Sequence, residues 1–249
     1  MKNLMLVLTL VIITPLLNNS SSLHAQTVLN VETGIVSTGY NDIRIPGDKG
    51  TLFSLNDDLS AKSTAFIRLR GSYTFNSRHT VSILYAPLVV DSDGKIAKQI
   101  DFAGATFPSN TIVNASYKFN SYRLTYRYDI VSNSKTELGL GFTAKIRDAK
   151  IELRSAASIG EKKNVGFVPI INFRLLWRLH DSVGILVDGD ALAAPQGRAE
   201  DVRIAVEYRL SEHLALSAGY RILEGGADND EVYSFALFHY ASFALSYTF

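Results

Sequence analysis

The closing stretch from Tyr233 to Phe249 reads YSFALFHYASFALSYTF. Counted by twos, its odd positions are Tyr233, Phe235, Leu237, His239, Ala241, Phe243, Leu245, Tyr247 and Phe249. The even positions carry Ser234, Ala236, Phe238, Tyr240, Ser242, Ala244, Ser246 and Thr248, which are smaller or more polar on average. Period two is the strand signature, because successive strand side chains point to opposite faces. The run is much longer than an ordinary globular strand of about five or six residues.

The same pattern recurs upstream, interrupted by short polar turns at Asn76–His79, Ser132–Lys135, His180–Ser182 and Ser211–His213. The flanking segments predict strands over 64–75 with 80–90, 112–131 with 136–153, 165–179 with 183–192, and 202–210 with 214–223. Adding 28–37 in front and 232–249 behind gives ten, with eight and twelve as the neighbouring even counts. The remaining connections, 38–63, 91–111, 154–164, 193–201 and 224–231, are longer and rich in Gly, Asp, Asn and Lys. Short turns at one rim and long loops at the other describe an antiparallel up-and-down barrel, although the spacing alone also suits a soluble sandwich.

The two faces separate the alternatives. One parity collects Ile67, Leu69, Tyr73, Phe75, Leu124, Tyr126, Tyr128, Ile130, Phe173, Leu175, Trp177, Leu179, Val202, Ile204, Val206, Tyr208, Leu214, Leu216, Tyr220 and Ile222, without a charge. The other collects Glu32, Arg68, Arg70, Arg123, Arg127, Asp129, Glu137, Lys145, Arg147, Arg174, Arg178, Asp188, Asp190, Arg203, Glu207, Arg209 and Arg221. Tyr73, Phe75, Tyr128, Trp177, Tyr208, Tyr247 and Phe249 all fall beside the short turns or the chain end, as a girdle at a membrane interface requires. A sandwich core gives aromatics no reason to gather at one end of every strand. The expectation is all-β: a transmembrane β-barrel over residues 26–249.

Composition is compatible with this. The 249 residues are 47% hydrophobic and 20% charged, with no cysteine, which excludes disulfides, thiolate metal sites and a lipidated N-terminal cysteine. Lys2, the apolar run Leu4–Leu17 and the small polar exit NNSSSLHA read as a secretory signal peptide over 1–25. Its removal takes away only Lys2 among the charges, leaving 24 basic residues (25 − 1) against 24 acidic ones. That neutrality implies no pull on nucleic acid.

On these residues the chain resembles the bacterial outer-membrane β-barrel proteins. In that family the last strand ends in an aromatic residue that the barrel-insertion machinery recognises. Phe243, Leu245, Tyr247 and Phe249 carry the likeness. It implies an outer-membrane location with lipid and lipopolysaccharide as surroundings, and names no activity.

The inner face holds eleven basic and six acidic residues, so full pairing leaves 11 − 6 = 5 cations. A salt-bridge network filling a narrow lumen is the favoured reading, with a narrow, anion-preferring path for a small anionic solute as the functional variant. No cofactor is implied. Neither a Gly-x-Ser-x-Gly elbow nor a phosphate-cradling loop occurs; GLG at Gly139–Gly141 lies inside a strand. His79, His180 and His213 read as solvated turn residues.

The one weak catalytic candidate is His239, on the apolar face. Outer-membrane lipid A deacylases keep a lipid-facing His with a Ser two residues on, but here that position is Ala241, and Ser242 faces the other way. Outer-membrane proteases carry acidic and His groups at the outer rim. Asp228, Asp230 and Glu231 supply the acids, with no histidine to match. The same three carboxylates are weak candidates for a cation, and a solvated acidic turn is the better reading. The first long loop, with Ile43, Ile45, Leu52 and Phe53, is expected to fold partly into the mouth as a lid. Pro87 and Pro169 fall inside predicted strands, where a closed barrel needs a bulge to absorb them.

Overall fold

The computed structural model describes residues 25–195 and 197–249; the expected signal segment lies outside them apart from Ala25. Ten strands make the wall: β1 (Gln26–Arg44), β2 (Thr64–Phe75), β3 (His79–Ala86, resuming as Val89–Lys95), β4 (Ile112–Ser132), β5 (Thr136–Arg154), β6 (Ile159–His180), β7 (Val183–Ala194), β8 (Gly197–Arg209), β9 (Leu214–Asp228) and β10 (Tyr233–Thr248). Each pairs antiparallel with the next. β10 closes on β1 from Val28 opposite Thr248 to Arg44 opposite Tyr233, with one bulge between Thr38 and Tyr40. The fold is an antiparallel, closed, ten-stranded barrel, so no edge of the spanning sheet is left unpaired.

Side-chain alternation inverts the usual arrangement of a soluble protein. Leu29, Val31, Ile35, Leu124, Phe142, Ile171, Ile204, Phe243 and Leu245 point outward and are exposed. Glu32, Arg68, Arg123, Asp188, Arg203 and Arg221 point inward and are buried. Apolar residues on that outer band lie in hydrocarbon at no cost, whereas inward ones would leave the opposing polar face in lipid.

Three expected long loops are mostly strand. Residues 154–164 and 224–231 contract to the turns 155–158 and 229–232, and within 193–201 strand runs to Ala194 and resumes at Gly197, because β5 to β10 continue past the apolar band. Up there both faces meet water, so charged residues occupy both parities. The alternation that marks a strand in the sequence fades, although the ladder from Arg147 to Arg154 continues unbroken on both sides of β5. Lys150 and Arg154 flank Glu152 there and, by hydrogen bonding to it, hold its carboxyl below the ordinary value.

The two connections that do stay long pack together. Ile43, Ile45, Phe53, Leu55 and Leu59 bury against Ile96, Ile100, Phe102 and Phe107, and this cluster rests on Tyr117, Leu153, Phe238 and Tyr240 inside the wall. Phe53 meets Phe102 edge-on at 5.8 Å. Each such side chain contributes about 1.5–3 kcal/mol on burial. The first loop therefore covers one side of the mouth, while Leu52 stays exposed.

The prolines find places where a missing N–H is harmless. Pro87 sits at the break in β3, where the Leu88 N–H donates to the Asn120 side chain at 3.3 Å. Pro169 lies just above the last rung between β6 and β7, Ile171 opposite Ala191. From there upward β6 pairs with β5 alone. The wall is thus lower at the β7–β8 hairpin than beside it.

Trp177 is the single tryptophan and is outward and half exposed near the short-turn rim. In vesicles its emission should be quenched by lipids brominated near the glycerol backbone and little affected by aqueous iodide. Quenching by iodide alone would place the outward band in water.

Candidate functional site

The strands bring the inward charges to one level. β1 presents Glu32 beside Arg68 of β2, and β7 presents Asp188 beside Arg203 of β8, which stands beside Arg221 of β9. Arg221 reaches past β10 to grip both Glu32 oxygens at 2.9 Å, and its third nitrogen donates to Asp201. The other Asp201 oxygen accepts from Arg68 at 2.9 Å and from Arg123. Arg123 also donates to Asp190, whose second oxygen accepts from Thr143 at 2.6 Å and Asn172 at 3.0 Å. Arg203 donates to Ser242 and Ser217 at 2.9 and 3.0 Å.

At this level four guanidiniums (Arg68, Arg123, Arg203, Arg221) meet four carboxylates (Glu32, Asp188, Asp190, Asp201), all at most 5% exposed. Taking ions out of water is costly unless pairs and extra hydrogen bonds compensate. Here both oxygens of Glu32, Asp190 and Asp201 accept hydrogen bonds, one oxygen each of Asp190 and Asp201 accepts two, and Asp188 is held by the longer approaches of Arg70 and Arg221. The result is a plug across the barrel. Asp201 is its hub, and sequence reading put it at the edge of a loop. The parity it shares with Arg203 was the signal that would have found it.

The plug divides the lumen. Toward the short turns a chamber of about 720 Å³ is lined by Arg70, Arg127, Asp129, Arg174, Arg178, Glu207 and Arg209, among others. Arg127 pairs with Asp129 at 3.0 Å, Arg178 with Glu137, and Arg70 approaches Asp188 only at 3.7 Å. The GLG stretch serves space: a Cβ on Gly139 would lie 2.8 Å from Arg127 Nε, so a larger residue would displace that guanidinium. Toward the loops a second chamber of about 880 Å³ is lined by Lys145, Arg147, Phe119, Val168, Leu223 and Phe238, among others. With Asp201 included, the inner face carries eleven cations and seven anions, so 11 − 7 = 4 remain, shared between the chambers.

His239 stands outward, ten residues up β10 from Phe249. A span of about 9–11 strand residues crosses the hydrocarbon, so this is its upper edge, not the middle of the strand's lipid contact. The imidazole stacks on Tyr220 and its Nδ1 shares a hydrogen bond with the Tyr220 hydroxyl. Gly39, at the β1 bulge, leaves room for it; a Cβ there would lie 2.6 Å from Nε2. Ser37 of β1 is directly opposite His239 in register and shares its face. The sequence could not show that juxtaposition, because the two lie at opposite ends of the chain. Among the described residues no hydrogen bond joins them.

Asp228 ends β9, and Asp230 and Glu231 follow in the turn, where the Asn229 side chain accepts from the N–H groups of Glu231 and Val232. Glu231 is exposed and approaches Lys162 at 3.5 Å. Among the described residues no cluster of three or more His, Asp or Glu is placed to hold a metal ion. His79 opens β3 within the girdle, stacked on Phe75 and bonded to Tyr126 at 2.9 Å, so it is not a solvated turn residue. Phe243, Leu245 and Tyr247 face outward on β10, Phe249 just after it is exposed as well, and the Phe249 N–H donates to the Thr27 carbonyl.

No protein-family model matches the chain, and no curated protein matches it in sequence. Solved structures do. The outer membrane protease OmpT from Escherichia coli superposes with a TM-score of 0.52 at 11% identity, over 90% of this chain and 97% of that one. Ail, the attachment invasion locus protein of Yersinia pestis, gives 0.39 at 12% identity over 90% and 99%. OprG of Pseudomonas aeruginosa gives 0.38 at 10% identity over 91% and 97%. The chain shares the barrel fold of the outer membrane protease OmpT, and an outer-membrane location agrees with that fold and with the apolar outer band.

Proposed function

We propose that the protein is a non-enzymatic outer-membrane barrel that is closed to bulk flow, with two blind chambers that hold solute instead of passing it. The observation that carries this reading is the ion-pair plug of Glu32, Arg68, Arg123, Asp188, Asp190, Asp201, Arg203 and Arg221. Barrels of about eight strands are filled by their side chains, whereas aqueous channels need about sixteen. A small anion reaches the spare cations of either chamber, and the plug stops it there. The partners are lipid and lipopolysaccharide at the outer band. The barrel-insertion machinery, reading Phe243 to Phe249, is the partner during assembly.

The alternative, an enzyme acting on lipid A, draws on the Ser37–His239 juxtaposition at the outer edge of the band. Among the described residues the His239 ring makes no hydrogen bond to Ser37, and its Nδ1 is occupied by Tyr220. A nucleophile activated by a base needs the two within hydrogen-bond reach. His239→Ala should therefore leave the lipid A mass spectrum of expressing cells unchanged; loss of a modified species would favour the enzyme.

In planar bilayers at high salt the protein should show no stable conductance steps, and large unselective steps would overturn the proposal. Removing the hub leaves three guanidiniums facing a neutral amide, so Asp201→Asn should lower unfolding stability in vesicles by about 3–5 kcal/mol. Glu152→Gln, in a half-exposed rim pair with Lys150 and Arg154, should change it by under about 1 kcal/mol. Equal effects from the two would mean that the plug contributes no more than a surface pair.

A further inference from the structure

The outer chamber differs from the inner one in chemistry. Its walls are largely apolar, from Phe119, Ile151, Val168, Leu223 and Phe238, whereas the inner chamber is lined mainly by hydroxyls and charged groups. At its base stands Lys145. The residue is 3% exposed, yet among the described residues its ammonium makes no salt bridge or hydrogen bond. It rests 4.8 Å from the centre of the Phe119 ring.

The carboxylates that could serve it are already taken. Asp190 and Asp201 lie beneath Lys145 and are held by Arg123, Arg221, Arg68, Thr143 and Asn172. Above it, Arg147 donates to Asn164 through one terminal nitrogen, and its buried Nε has no partner. Two inward cations with unused donors thus share one chamber, and neither belongs to the plug. Arg147 Nε is a buried donor without a partner, which is costly, and the Lys145 side chain lines the chamber beside it, so a ligand oxygen placed there has donors to accept from.

The chamber's size and entry restrict that ligand further. At about 880 Å³ it falls in the range of small-molecule sites, about 300–1,000 Å³. Val168 and Pro169 of β6 and Leu192 and Ala194 of β7 line it on the side where the two strands have ceased to pair. This unpaired stretch lies at the upper edge of the outward apolar band and is flanked by Phe167, which is 62% exposed.

We propose that the outer chamber binds an amphipathic carboxylate. Its carboxylate accepts from Lys145 and Arg147 at the base, and its hydrocarbon lies along Phe119, Leu223 and Phe238 toward the low wall between β6 and β7. This inference deepens the reading of blind chambers and depends on it only for the closed base. Conductance tests that closure separately.

The full chain in lipid nanodiscs, titrated calorimetrically with octanoate against empty nanodiscs, should show one saturable site. Octanamide, the uncharged analogue, should bind about tenfold more weakly or less, since a charge-assisted hydrogen bond contributes about 1.5–3 kcal/mol. Lys145→Met should reduce octanoate binding by about the same factor and leave octanamide binding unchanged, with Lys145→Arg restoring octanoate. Equal binding of octanoate and octanamide to the wild-type protein would overturn the proposal whether or not the variants fold. So would octanoate binding undiminished in a folded Lys145→Met barrel.

Discussion

Hydrocarbon around a ten-stranded cylinder fixes where charge can reside. Once the outward parity is apolar, the inward parity must take the polar residues, and the lumen of so narrow a ring is too small to hydrate them fully. The ions must then neutralise one another. Glu32, Asp188, Asp190 and Asp201 against Arg68, Arg123, Arg203 and Arg221 are that solution, drawn from six different strands. Arg suits the task better than Lys because its planar fork serves two carboxylates at once, as Arg221 and Arg123 each do.

That requirement also explains where the protein stores its apolar packing. The spanning part has no hydrophobic core of ordinary size. The principal cluster forms above it, where Ile43, Phe53, Ile100 and Phe102 meet the inner wall around Tyr117 and Phe238. The two long connections are therefore structural elements. They cap one side of the barrel and leave the other side open as the chamber over Lys145.

Much of this was legible in the sequence, and the limits have physical causes. Alternation in β4, β6 and β10 gave strand number, facing and girdle, because a bilayer punishes any error of parity there. Boundaries at the outer rim were misread, since residues such as Arg154, Lys163 and Asp228 meet water on strands as they would in loops. Asp201 was lost to that misreading. The setting of Ser37 against His239, and the idle donors of Lys145, depend on which strand closes on which and on who pairs with whom. Neither is a local property. Comparison with known structures adds the fold and leaves the activity to the chain's own residues.

The ladder that ends at Ile171 leaves the upper part of β6 with a row of bare backbone groups, the kind of margin onto which another chain can add a strand. Here the margin carries Lys162, Lys163 and Pro169. Lys162 approaches Glu231 and Lys163 pairs with Glu161 at 2.7 Å, so the margin is covered by charged side chains, and the imino ring cannot supply a rung. A charged, proline-bearing margin is a poor template for strand addition, so the low place in the wall is blunted where it would otherwise invite a second strand.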